Sequence, residues 1–128
     1  MLLAAQVMAA LHLALITFML TGSLLALRWP RLLWLHAPVA LAVLAVNAAG
    51  QPCPLTVWEL DLRAAAGAPG YPDGFIGHYF LDPFGVDVHT AAAQAGIYAV
   101  ALTPNLVGYA LHATRALRTG RPAGHRAG

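Results

Sequence analysis

The sequence predicts an all-α integral membrane bundle of three transmembrane helices, with an external loop containing short interfacial helices. Three observations predict it. The 128 residues are 59% hydrophobic and only 9% charged, against about 25% charged in soluble domains. Long apolar runs carry no charged side chain at all. The charges that exist are sorted by sign along the chain: all five acids fall between residues 51 and 88, and six of the seven arginines fall outside it. A soluble chain of this size could not hide so much apolar surface in a core of its own.

The first run, about 3–27, has no charged side chain. About 20 apolar residues suffice to cross the hydrocarbon core, so this run spans with some tilt. It lacks a basic leading segment and exceeds the roughly 7–15 residues of a signal-peptide core, so it reads as a retained helix. Arg28-Trp29-Pro30-Arg31 stops it, because proline breaks the helix and the arginines anchor the turn at the headgroups. The second run, about 32–50, carries Pro38 roughly one turn from its start and ends at Gly50 and Pro52.

Residues 51–87 form the external loop. Thr56 with Glu59 three residues on has the form of a capping box, which predicts a helix over about 55–66. Leu55, Trp58 and Leu62 share one face, with Glu59 and Arg63 paired at i, i+4 on the other. That pattern describes a helix lying on the membrane surface. Pro72-Asp73-Gly74 is a turn, and 75–84 is an apolar-aromatic piece too short to span.

The third run, about 88–113, is rich in alanine and glycine. Ala92 with Gly96 and Ala95 with Ala99 give the small-xxx-small spacing that lets helices approach closely. Pro104 should kink it and free the carbonyl of Val100, near enough for Asn105 to satisfy. Residues 115–128 read as a frayed basic tail.

Arginine in short loops marks the cytoplasmic side. Arg28, Arg31 and the tail are therefore inside, and the acidic loop and the N-terminus are outside. The formal charge of +2 does not indicate a nucleic-acid partner, because no basic stripe is interleaved with aromatics. Cys53 is the only cysteine, so no internal disulfide forms.

Ionisable groups within spans are functional candidates by default. His12 lies about nine residues, or ~14 Å, into the first helix. His36 and His112 lie at one depth near the inner end, as a haem held by two histidines requires. The bland reading of both is an interfacial histidine bonded to headgroups or backbone. For His12 it is a bond to Thr17, Asn47 or a backbone group. In the outer loop, Cys53, Glu59 and His78 offer thiolate, carboxylate and imidazole, which suit zinc or copper. No CxxC or HxxxH spacing supports them, and the alternative is that Cys53 caps a helix end beside Pro52 and Pro54, Glu59 pairs with Arg63 and His78 packs under the loop. Gln6, Asn47 and Gln94 read as hydrogen bonds between helices. No serine-hydrolase elbow, zinc-protease, Walker or dinucleotide motif occurs, so the chain does not read as an enzyme on its own.

Cys53-Pro54-Leu55-Thr56 with Glu59 and Arg63, then Gly74-Phe75-Ile76-x-His78-Tyr79, preceded by Trp29-Pro30-Arg31-Leu32 and Leu35-His36, resembles a family of small bacterial membrane proteins known as domain of unknown function 2784. The resemblance covers about residues 12–84. It implies an inner-membrane protein of three or four helices with no established activity. It also implies that Cys53, Glu59, Arg63, His78 and Tyr79 are the first residues to consider for a site.

Two functional expectations stand together at this point. One is an accessory or structural subunit that docks onto a larger membrane complex or onto copies of itself. The other is a redox protein holding a metal or haem at Cys53/Glu59/His78 or at His36/His112. A small carrier or channel is a third, disfavoured by the absence of a repeat.

Overall fold

A computed structural model describes residues 1–120. The chain is all-α, with five helices and no strand among the described residues. α1 (Leu2–Leu25) leads through a tight turn into α2 (Leu32–Ala48), and α3 (Pro54–Ala65) follows. The short α4 (Gly74–Ile76) runs on into a π-helical turn over Gly77–Leu81 and a 3₁₀ turn over Asp82–Phe84. α5 (Ala91–Thr119) completes the fold. Gly50 and Gly67, at φ +66° each, close α2 and α3. Their left-handed backbone lets Gln51 N–H reach Val46 O (3.1 Å) and Ala68 N–H reach Arg63 O (2.9 Å), satisfying carbonyls the helix ends leave open.

α1 is 24 residues long, about 36 Å at 1.5 Å per residue. It is the one helix among the described residues that is both long enough and apolar enough to cross a bilayer. α2 is apolar but has 17 residues, and α5 has 29 but is less apolar. Only 11% of the apolar window of α1 is buried, so this helix is not the wrapped core of a soluble domain.

α1 is the hub. α2, α3 and α5 each pack chiefly on it. The interior is as polar as it is apolar: the buried apolar residues are Ala5, Ala26, Tyr71, Phe75 and Val88, and the buried polar ones are His12, Ser23, His36, Thr56 and Glu59. The large apolar side chains lie outside, with Trp34 87% exposed, Leu3 73% and Leu106 68%. Water-soluble proteins show the opposite preference for charged and large apolar groups.

Three expectations are corrected. Thr56 does not cap α3: Cys53 occupies the cap position, without a side-chain bond, and Pro54 opens the helix. Proline suits the first turn because its missing N–H would be unpaired there anyway. Glu59, expected on the polar face opposite Leu55, Trp58 and Leu62, is instead turned into the protein with Thr56, both buried, while Trp58 stays exposed. The segment after residue 113 does not fray at once; α5 continues to Thr119. Arg115 Nη1 donates to Leu27 O (3.0 Å), tying the end of α5 to the end of α1. Arg118 lies in the last turn, where a cation suits the helix dipole. Arg121, His125 and Arg126 lie outside the described residues.

Thr90 caps α5, its Oγ1 accepting from Ala93 N–H at 3.2 Å. Within α5, Asn105 serves the carbonyl of Ala101 (2.7 Å) rather than that of Val100, and it also reaches Met19 O on α1 (2.9 Å).

Candidate functional site

Two polar clusters sit against α1. One, termed the outer cluster after the expected sidedness, gathers on its N-terminal half, and the other, termed the inner cluster, on its C-terminal half. His12 is 7% exposed, with Nδ1 3.2 Å from Thr56 Oγ1 on α3. Its ring stacks on Phe75 at 4.1 Å. One helical turn from Thr56, Glu59 is completely buried. Its carboxylate accepts from Tyr71 Oη at 2.8 Å and from Tyr79 Oη at 2.6 Å. Arg63 Nη1 stands 3.7 Å from Glu59 Oε1, and its Nε donates to Pro69 O at 3.0 Å. A carboxylate taken out of water survives only when its charge is answered and its oxygens are bonded. Here two phenols and a guanidinium do both.

The local backbone explains how both tyrosines reach one carboxylate. Tyr71 comes from the turn after α3, and Tyr79 from the π-helical turn at Gly77–Leu81. Such turns recur where a helix re-aims its side chains. Gly77 is buried and lies against Asp73 and Val88; a Cβ there would come within 2.8 Å of Asp73 Cβ. His78 stacks flat on Tyr71 (4.1 Å, 3°), and its Nδ1 is 3.8 Å from Asp82 Oδ2. Burial, then the bond to Glu59 and its charge, push the Tyr71 phenol well above the usual tyrosine range. Tyr79 is raised by the same causes in the same order. Both phenols therefore keep their protons, and act as donors, across the neutral range. A raised folded value stabilises the fold fully below the unfolded phenol pKa of about 10 and is lost as pH climbs through the higher folded value.

The inner cluster lies at the other end of α1. His36 is fully buried, with Nδ1 2.7 Å from Tyr109 Oη and Nε2 3.4 Å from Met19 O. Gly22 makes room for it: a Cβ there would overlap His36 Cδ2. His112 Nε2 lies 3.2 Å from Ser23 O. Ser23 Oγ donates to Pro104 O at 3.3 Å. Asn105 Oδ1 is buried without a partner.

The residues expected from the sequence divide accordingly. Glu59, Arg63, His78 and Tyr79 come together around Tyr71. Cys53 stays out of the cluster, half-buried at the head of α3. No three His, Cys, Asp or Glu side chains converge as a metal-ligand set among the described residues. Both oxygens of Glu59 are taken by tyrosines, and His78 turns to Asp82. His36 and His112 occupy the same end of the bundle as expected. Each, however, points its Nε2 at a carbonyl of α1 and not at a shared space. His12 joins the outer cluster with Thr56 as partner, not Thr17 or Asn47. Of the three amides, Asn47 Oδ1 accepts from Tyr98 Oη at 3.4 Å, while Gln94 Nε2 turns back to Val88 O at 2.6 Å.

Tyr71, Phe75 and Thr56 were not anticipated for the site. One signal pointed to Thr56. It forms an i, i+3 polar pair with Glu59, and such a pair is a natural match for the sole ionisable group in the first apolar run. Tyr71 had none, because its approach depends on the path of residues 66–74.

A family model described as a protein of unknown function, DUF2784, matches residues 2–110. No curated protein and no solved structure matches the chain.

Proposed function

The chain belongs to the DUF2784 family, and from that premise we propose that it is a three-span membrane protein serving as an accessory subunit of a larger membrane assembly. α1, α2 and α5 are the spans. The apolar side chains left uncovered along all three support this, including Leu11, Trp34, Leu41, Val100 and Leu106. Lipid removes the cost of exposing them. The proposed setting is a bacterial inner membrane with the acidic segment outside and the arginines inside. The bond from Arg115 to Leu27 O supports the sidedness, since it brings the basic end of α5 to the loop that holds Arg28 and Arg31.

One observation carries the accessory role. The small-residue face of α5 is not used among the described residues. Ala92, Ala95, Gly96 and Ala99 are exposed, and a Cβ on Gly96 would meet nothing within 4 Å. The glycine that does serve packing in α5 is Gly108, pressed on Ser23. Gly96 weakens the helix by about 1 kcal/mol relative to alanine, so a close-packed neighbour explains its presence where intrachain contacts do not.

The test is Gly96→Leu, purified at native expression level in mild detergent. The isolated variant should keep wild-type helicity and be at least as stable, because its new side chain enters open space. The wild-type chain should migrate in a complex larger than its own mass, and the variant should leave it. A wild-type chain that runs as a monomer without a partner defeats the proposal.

A further inference from the structure

The third helix, α3, has its polarity reversed. Along α3 the covered positions are Thr56 and Glu59, while Val57 (36%) and Trp58 (54%) are exposed. Residues 74–84 also leave large aromatics uncovered, with Phe80 42% and Phe84 81% exposed, although Phe75 is buried. A helix resting on a protein in water would turn Trp58 inward and Glu59 outward, since large apolar groups gain most from leaving water and carboxylates lose most. The reverse holds here, so the medium outside these elements favours apolar groups.

We infer that α3 and residues 74–84 form a lipid-contacting layer in the outer interface of the bilayer, with Val57, Trp58, Phe80 and Phe84 against acyl chains and the Glu59 centre sealed between that layer and α1. The inference rests on the three-span reading and adds the placement of the site. Two further observations set the depth. α3 packs on α1 at His12, ten residues from Leu2, about 15 Å along the axis. On the same half of α1, Val7 and Leu11 are each 52% exposed. Asp61, however, is exposed on α3, and an ionised carboxylate belongs among headgroups, not at mid-bilayer. The α3 axis therefore lies at the boundary, where a helix buries its apolar face 5–10 Å or so. Helical backbone throughout 74–84 fits the same place, because lipid offers no partner for an unpaired N–H or C=O.

The consequence is a carboxylate held away from both phases. Water is kept from Glu59 by lipid-facing aromatics on one side and α1 on the other. The partner surface is the phospholipid itself, not a soluble protein.

The experiment uses tryptophan emission in vesicles of phosphatidylcholine and phosphatidylglycerol, with and without bromine near the top of the acyl chains. The chain has three tryptophans. Trp29→Phe with Trp34→Phe leaves Trp58 alone, and Trp29→Phe with Trp58→Phe leaves Trp34 on α2. Bromolipid should lower Trp58 emission by about twofold, as expected for an indole at the acyl–headgroup boundary, and aqueous iodide should have little effect. If Trp34 responds to bromolipid while Trp58 responds to iodide, or to neither quencher, the interfacial layer is overturned and the three-span reading stands. If neither tryptophan responds to bromolipid, both fall.

Discussion

Replacing Glu59 with alanine should destabilise the fold by about 3 kcal/mol, the largest loss expected from any single side chain outside the glycine contacts. The change strands three donors at once. Tyr71 Oη and Tyr79 Oη lose their common acceptor, and Arg63 loses the carboxylate 3.7 Å away. A buried polar group left unpaired costs roughly 1–3 kcal/mol. The two phenols together set the scale, and the partly exposed Arg63 adds little because solvent screens it. Glu59→Gln should cost about half as much, since its amide oxygen still accepts from one tyrosine. Tyr79→Phe should cost about 1 kcal/mol by removing one donor. Unfolding in mixed micelles, followed by circular dichroism, gives the three values. A Glu59→Ala variant within about 0.5 kcal/mol of wild type would mean that the cluster contributes nothing of note to holding α3 on α1.

Gly108→Ala should cost about 2 kcal/mol, although alanine is the better helix former. A Cβ at 108 would overlap Ser23 Oγ and stand 2.7 Å from Ser23 Cβ and 3.0 Å from its backbone carbon. Rotating the serine relieves only the first of these. α1 and α5 must separate, and with them go Ser23 Oγ to Pro104 O, His112 to Ser23 O and Asn105 to Met19 O. Gly96→Ala on the same helix should instead stabilise the isolated chain by up to about 1 kcal/mol, because its site is open. The opposite signs are the informative result. Equal effects at 96 and 108 would mean that α5 does not pack on α1 through the Gly108–Ser23 contact.

These two results draw on parts of the molecule that were unequally legible in the sequence. The three long helices were plain: an uninterrupted apolar run of 17 or more residues has few alternatives, and the observed α1 and α2 fall within two residues or so of the expected ends. The pairing of Glu59 with Arg63 was plain too, because i, i+4 spacing fixes it. The face of α3 was misassigned for a physical reason. Turning Glu59 and Arg63 away from the protein assumes that the protein interior is less polar than the membrane surface. Beside α1 it is not, since His12 is already there and prefers a hydroxyl. The inner histidines show a different limit. Their depth followed from helix arithmetic, but their partners are the Tyr109 hydroxyl and the main-chain carbonyls of Met19 and Ser23, and every residue carries a carbonyl. Only Gly22 and Gly108 hinted that the helices come close enough for such bonds. The meeting of Tyr71 and Tyr79 at Glu59 depends on a π turn, which has no periodic signature.

The account depends above all on the acidic segment and the arginines lying on opposite faces of a membrane. The lone thiol of Cys53 allows a direct test. Intact cells expressing the chain are treated with a membrane-impermeant maleimide, alongside a Cys53→Ser variant carrying Arg31→Cys instead. Labelling of Cys53 in intact cells, with position 31 modified only after the membrane is opened, is the expected result. Labelling of position 31 in intact cells, or equal labelling of both, would contradict the topology and with it the placement of every site described above.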